Sequence, residues 1–414
     1  MAELDATAMS AALKEYYDEG KLTDLVALQS PLLGMMPKGK FIGKNVPYPM
    51  VTNPGQAAMS GTYSTANTNR APAGFDRFVM TTPGRIFAIG GIERDIIDLA
   101  QTPKGAFDDI NAEVEAKLDF VARELAHTCQ RSENGLCGKI ASITEGGGQT
   151  TIVVEDFADV ANLGAGANLV ASATAAGALH AATTYPVVSV VHSTGTIVLT
   201  GTAATTSSWA VGSFLHRDGS ATAGGTAKYP SGLLDWIPDT APTSGDSWRG
   251  VDRSVAPDKL AGIRVDASAS QVREAASEMA ARIIANGGMP DRLVVHPIRY
   301  SILEQELDSL ATHEKVPARN TTAQIGYNGL RIAAGNGSVV IVSDPFCPYY
   351  RGYMLTMRTW KFLEIGGKRQ PRLRDMGGGR FLQMEDADAV KFQCEAKGDL
   401  ACSNPGANGV IKFN

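Results

Sequence analysis

The sequence predicts an α+β fold that carries a small inserted all-β module, and three observations point to it. Phe107, Ile110, Val114, Leu118, Val121 and Leu125, spaced 3, 4, 4, 3 and 4, mark one dominant amphipathic helix. From Ile140 to Lys228 only seven of 89 residues are charged, against 20% for the chain, and the apolar residues there come in short β-branched bursts. Beyond Asp235, helical and strand patterns mix without a regular βαβ rhythm.

Composition narrows the function classes. The 414 residues suffice for one elaborated domain or roughly two to three ordinary ones. A formal charge of −5 excludes a histone-like or polybasic membrane protein. No apolar run reaches about 18 residues, and the acidic start, with Glu3 and Asp5, lacks the basic and apolar regions of a secretory signal. A soluble protein made in a cytosol is therefore expected. Cys129, Cys137, Cys347, Cys394 and Cys402 are odd in number and form no Cys-x-x-Cys, so free thiols packed as small hydrophobes are expected.

Residues 1–43 read as an arm with two short helices, the second stopping near Ser30-Pro31. Val46 to Val51 reads as an edge-type strand, because Pro47 and Pro49 remove ladder donors. A polar stretch from Thr52 to Gly74 follows, with Met59 and Tyr63 as its large apolar residues, before strands resume at Phe75 and Ile86. This reads as a long projecting hairpin that needs a neighbour to lie on. Thr102-Pro103 opens the dominant helix and Asn134-Gly135 caps it, about 30 residues in all, with Glu113, Glu115, Asp119 and Glu124 on an acidic outer face.

Inside the charge-poor module, Thr151 to Val154, Val187 to Val191 and Thr196 to Leu199 read as strands, and His180, His192 and His216 as surface histidines. Ser268 with Gln271 makes a capping-box pattern ahead of Val272, Ala276, Met279 and Ile283. Leu293-Val294-Val295 is a buried strand, His296-Pro297 opens a helix, and Gly335-Asn336-Gly337 marks a hairpin turn. From Tyr353 to Asn414, strands alternate with Gly-rich turns.

The motifs of catalysis are weak. Gly34 to Lys40 satisfies the Gly-x4-Gly-Lys half of a phosphate loop, but Phe41 replaces its Ser/Thr. Gly164-Ala165-Gly166 lacks the third glycine of a dinucleotide fingerprint, and Asp386-Ala387-Asp388 lacks the rest of a calcium loop. No Gly-x-Ser-x-Gly or His-Glu-x-x-His occurs, and His127 and Cys129 near Cys137 lack a fourth metal ligand nearby. No enzyme activity, cofactor or metal is expected.

Charge is arranged by region instead. Residues 1–36 carry a net −4, Ala106 to Ala126 a net −4, and residues 351–380 a net +6. Complementary patches set orientation in repeated self-association. Ordinary solvated faces, with the basic strands touching nucleic acid, explain the same charges equally well.

Three segments in order carry a family resemblance: "KEYYDEGKLTDLVALQSPLLGMMPK" (14–38), "DRLVVHPIRY" (291–300) and "FQCEAKGDLACSNPGANGVI" (392–411), around a proline-bearing strand, a long polar hairpin and a long helix. Together they resemble the major capsid protein of tailed bacteriophages, with its Hong Kong 97-type fold. The resemblance implies an N-terminal arm (1–43), an extended loop (44–96), the spine helix of a peripheral domain (97–139), the inserted all-β domain (140–228), a return to the peripheral domain (229–262), an axial domain (263–350), and peripheral strands with the C-terminus (351–414).

It further implies hexamers and pentamers closing an icosahedral head around double-stranded DNA held without sequence specificity, in a virion assembled in the host bacterial cytoplasm. Portal and scaffolding proteins, and an optional decoration protein, are the implied partners, with no membrane. Since the chain begins at Met1, a separate scaffolding protein is expected rather than a cleaved pro-segment. Subunit contacts are expected at Arg70 and Arg77 on the hairpin, at Glu113, Glu115 and Asp119 on the helix, and at Arg369, Arg372 and Arg374 in the basic region. An encapsulin-like shell protein and a β-rich adhesin that binds glycans through the inserted domain are the alternatives.

Overall fold

The computed structural model describes residues 30–41, 43, 45–53, 59–70, 74–80, 83–93, 106–175, 177–180, 183–221, 226–308, 330–334, 337–365, 370–374, 381–384 and 388–413. Its strands in chain order are β1 (Lys38–Phe41), β2 (Val46–Asn53), β3 (Gly74–Met80), β4 (Gly84–Glu93), β5 (Leu136–Gly146), β6 (Gln149–Val154), β7 (Asn168–Ser172), β8 (Tyr185–Val191), β9 (Thr196–Thr200) and β10 (Phe214–Arg217). Then come β11 (Ser247–Trp248), β12 (Val251–Asp252), β13 (Ile263–Asp266), β14 (Arg292–Val295), β15 (Arg331–Ala334), β16 (Gly337–Ser343), β17 (Arg351–Leu355), β18 (Trp360–Ile365), β19 (Arg372–Leu373), β20 (Phe381–Gln383), β21 (Ala389–Cys402) and β22 (Gly409–Lys412). The α-helices are α1 (Pro31–Met35), α2 (Tyr63–Thr68), α3 (Ala106–Cys129), α4 (Ala203–Ser207), α5 (Leu233–Trp236), α6 (Pro257–Leu260), α7 (Val272–Ala285) and α8 (Pro297–Asp308).

Two compact units share the chain. The first, residues 1–41, 83–232 and 362–400, is built on a sheet of order β1-β18-β21-β19, with β4 and β20 also paired to β21. Along β4 the alternation of strand side chains buries Ile86 and Ile92 and exposes Arg85, Phe87, Ile89 and Gly91. Helix α3 packs on β4, and its stripe Val114, Leu118, Val121 and Leu125 is at most 1% exposed. Each such side chain contributes roughly 1.5–3 kcal/mol relative to exposure. Gly90 permits the close approach at the sheet's centre, since a Cβ there would lie 2.2 Å from the Phe392 ring.

Also in the first unit, β10-β5-β6-β9-β8-β7 close into a barrel around Ile140, Ile152, Val187, Ile197, Leu199, Trp209 and Leu215, leaving no open sheet edge. Ion pairs fasten it to α3 and the turn that follows: the Arg217 guanidinium donates to both Glu124 oxygens at 2.9 and 3.0 Å, and Arg131 Nε lies 2.6 Å from Asp159 Oδ1. Glu124 is therefore buried, at 2% exposure, rather than on the outer face of the helix. His216 is buried as well, its Nδ1 donating to Asn134 O at 3.1 Å and its Nε2 standing 2.7 Å from Ser172 Oγ. Both departures have one cause: the barrel folds back over the end of α3, which local periodicity cannot register. His180 and His192 are exposed.

The second unit, residues 42–82, 233–361 and 401–414, contains a mixed sheet of order β13-β22-β17-β14-β16-β15 with α7 and α8 in its apolar core. Ala334 pairs with Gly337 across the predicted turn, whose Gly335 and Asn336 lie outside the described residues. The expected capping box does not form. Instead Glu306 of α8 accepts from Val272 N and Arg273 N, both at 3.2 Å, supplying from another helix the acceptor that the α7 N-terminus needs. Buried Asn408 ties three segments, with Oδ1 accepting from Thr356 N and Trp360 Nε1, each at 2.8 Å, and Nδ2 donating to Asn404 O at 2.8 Å.

Several expected boundaries move. Helix α3 ends at Cys129 rather than at the Asn134-Gly135 cap; past Cys129, Gln130 N and Arg131 N donate instead to His127 O and Thr128 O in a tighter turn. Pro31 opens α1, the N-terminal placement that proline tolerates; the two arm helices expected before it lie outside the described residues. Among the described residues of 44–96, β2 and β3 form a hairpin and β4 pairs with β21. Within 351–414, β17 and β22 join the sheet of β13 and β14, whereas 362–400 belong to the other unit. Backbone pairing partners of this kind are set by long-range register, not by segment composition.

Candidate subunit-contact surfaces

In the hairpin, β2 and β3 pair antiparallel from Val46↔Met80 to Asn53↔Gly74. Its base is anchored: Phe78 is fully buried against Trp236 and Trp248 at ring distances of 5.2 and 5.7 Å, and Val79 N donates to Arg249 O at 3.1 Å. Beyond this base the apolar groups find no cover within the described residues, with Met59, Tyr63 and Phe75 at 82%, 87% and 70% exposure. Arg77 is exposed opposite Pro49, and exposed Arg70 donates from Nε to Asn67 O at 3.1 Å beside α2. A six-residue helix in this polar stretch is not legible in its composition; Thr62 Oγ1 donates to Thr65 Oγ1 at 2.8 Å where it starts.

On α3, Glu115 is exposed, Glu113 lies 3.6 Å from Lys117, and Asp119 lies 2.8 Å from Arg123. Helical pairs of this spacing on a solvated face contribute only a few tenths of a kcal/mol, so the acids remain available to a partner.

The basic region is arranged differently from expectation. Arg372 and Arg374 stand on one sheet face around Glu395, which is fully buried; Arg372 donates from Nε and Nη2 to its Oε1 at 3.1 and 2.6 Å, and Arg374 Nε is 3.8 Å from Oε2. Lys397 Nζ is 2.6 Å from the same Oε2. Burial alone would raise the Glu395 carboxyl, yet the hydrogen bonds from Lys397 and Arg372 hold it below its ordinary value. These arginines therefore serve first as counter-ions within their own chain. Arg369 lies outside the described residues.

Arg85, Phe87, Ile89, Lys391, Gln393 and Lys397 share that face by register, and the sequence reading overlooked β4 as part of it. The period-two spacing of Lys391, Gln393, Glu395 and Lys397 was the available signal.

All five cysteines are buried and free, and burial pushes the thiols of Cys129, Cys137, Cys394 and Cys402 up to about 12. Among the described residues no group of three His, Cys, Asp or Glu could hold a metal ion, and no helix is long and apolar enough to cross a membrane.

No protein-family model matches the sequence, and no curated protein matches it. Solved structures do. A chain of the cyanophage A-1(L) capsid asymmetric unit superposes with a TM-score of 0.56, covering 93% of this chain and 92% of that one at 11% identity. The holo-SrpI encapsulin of Synechococcus elongatus PCC 7942 gives a TM-score of 0.43 over 92% and 86% of the chains at 8% identity. The capsid of the native GTA particle gives 0.43 over 92% and 89% at 10% identity.

Proposed function

We propose that this chain, which has the Hong Kong 97-type α+β fold of phage capsid subunits, is the major capsid protein of a tailed double-stranded DNA bacteriophage. It self-assembles as hexamers and pentamers into the icosahedral head shell, around DNA bound without sequence specificity. Portal, scaffolding and optional decoration proteins are its partners in the host cytoplasm, and the finished chain resides in the virion. Its work is structural rather than catalytic.

The observation that carries this reading is the hairpin. Its base is locked by Phe78, while Phe75, Met59 and Tyr63 stand exposed beyond it, and that surface gains cover when draped on another copy. Ordering on a neighbour couples the segment to association, and repetition around a ring multiplies weak contacts. Arg70, Arg77, Glu113, Glu115, Asp119 and Arg369 supply charged contacts between subunits, with Arg372 and Arg374 in a supporting place beside Glu395.

Electron microscopy of the purified chain tests this. Closed particles are expected from the full chain, and a variant lacking Ala57 to Ala73 should stay folded yet form none. Intact shells from that deletion, or a full chain that stays monomeric with or without a scaffold, would overturn the proposal.

A further inference from the structure

Strand β4 presents an open edge among the described residues. Backbone groups of successive strand residues point to opposite sides. Arg85 N–H points away from β21, donating to Lys228 O at 2.9 Å. The facing strand agrees: Gln393 O accepts from Arg374 N at 2.8 Å and Lys397 N donates to Gln370 Oε1 at 3.1 Å, both away from β4, although these residues stand opposite Ile89 and Arg85. Phe87, Ile89 and Gly91 therefore turn their N–H and C=O groups outward with Arg85. Lys228 occupies the first position of this edge; the next three meet no backbone partner among the described residues. Phe87 and Ile89 also hold their side chains 44% and 65% exposed. An open edge flanked by exposed apolar groups is a template for another strand.

We propose that a second copy of this chain supplies that strand, residues 87–91 of β4 pairing antiparallel with residues 87–91 of the partner's β4 about a two-fold axis beside Ile89. In this register the segment is complementary to itself. Ile89 faces the partner's Ile89, and Phe87 faces the partner's Gly91, each facing pair exchanging both backbone hydrogen bonds. Gly91 leaves space for the ring, since a Cβ there would meet only Met384 Sδ at 3.9 Å. The bases of the two β21 strands end up three strand spacings apart, about 14 Å, beyond the ~8 Å screening length at physiological salt. Their mutual repulsion is thus small, and the edge fits a like copy.

The pairing builds on the self-association reading above by naming one contact, and its test separates the two. Amide exchange at single-residue resolution would be measured at Phe87, Ile89 and Gly91 in the full chain, dissociated and self-associated. Slow exchange in the associated form alone is expected. Ile89→Lys and Ile89→Glu should each weaken self-association about tenfold, because each sets two like charges directly opposite one another across the axis. An equimolar mixture of the two variants, which places lysine opposite glutamate, should recover it. Ile89→Pro is the second check: its N–H lies outside the β4–β21 ladder, so the chain folds while the edge loses a donor.

Amides already slow in the dissociated chain, or a mixture of Ile89→Lys and Ile89→Glu no better than either alone, would overturn the pairing. So would protection that appears only on adding duplex DNA or another protein. Shells with fast-exchanging edge amides would refute the pairing and leave the capsid reading standing. Edge-protected dimers that never close would do the reverse.

Discussion

Arg131 Nε stands 2.6 Å from Asp159 Oδ1 with both side chains buried, at 1% and 7% exposure. Arg131 Nη2 also donates to Ala158 O at 2.8 Å, so one guanidinium pins the end of the long helix to a short helical turn of the barrel. The barrel is thereby held by charge as well as by its two covalent connections.

Breaking this pin on one side strands a buried charge. Arg131→Met is expected to destabilise the first unit by about 3–5 kcal/mol, whereas Arg131→Met with Asp159→Leu should cost much less. Denaturant unfolding followed by circular dichroism measures both; equal losses in the single and double variants would show that the pair itself matters little.

Acid should loosen the same junction. Burial, then Arg131, lowers the pKa of His127 well below 6.5, and burial lowers that of His216. A folded value below the unfolded one means that the unfolded chain binds the extra proton. Stability is thus fully present above about 6.5 and is lost as pH falls through the folded values. The unfolding midpoint of the native chain should drop between about pH 7 and 5, and a His127→Gln, His216→Gln variant should show a flatter profile. Equal slopes for the two proteins would refute it.

Arg372→Glu should fail in the monomer before any assembly step, because it sets a second carboxylate beside buried Glu395. The expected result is loss of cooperative unfolding at every salt concentration. A well-folded variant that is defective only in assembly at low salt would instead place Arg372 at a subunit contact.

Asn408→Ala leaves Trp360 Nε1 and Thr356 N without their shared acceptor in a buried site. A loss of about 3 kcal/mol is expected, with a shift in tryptophan emission. Thermal unfolding monitored by fluorescence would detect both, and a neutral outcome would mean that water replaces the amide oxygen.

Much of the architecture was readable in local chemistry. The 3–4 spacing of Val114, Leu118, Val121 and Leu125 dictates a helix with one buried face, and the prolines of β2 dictate an edge. Low charge with β-branched bursts dictates the short strands of the barrel. The β2–β3 hairpin follows from two strand patterns flanking a polar stretch.

What the sequence by itself determined, then, is the identity of elements whose stability comes from neighbours within a turn or a strand. Which distant groups meet was decided only in three dimensions. Glu124 looks like one more surface acid until Arg217, 93 positions later, reaches it. Arg372 looks like a free cation until β21 brings Glu395 beneath it. Gln271 cedes its capping place to Glu306. The reason is common to all: charge and hydrogen-bond pairing depend on separations of a few ångströms, and those separations are set by the register of strands joined through long stretches of chain, where no periodicity carries the information.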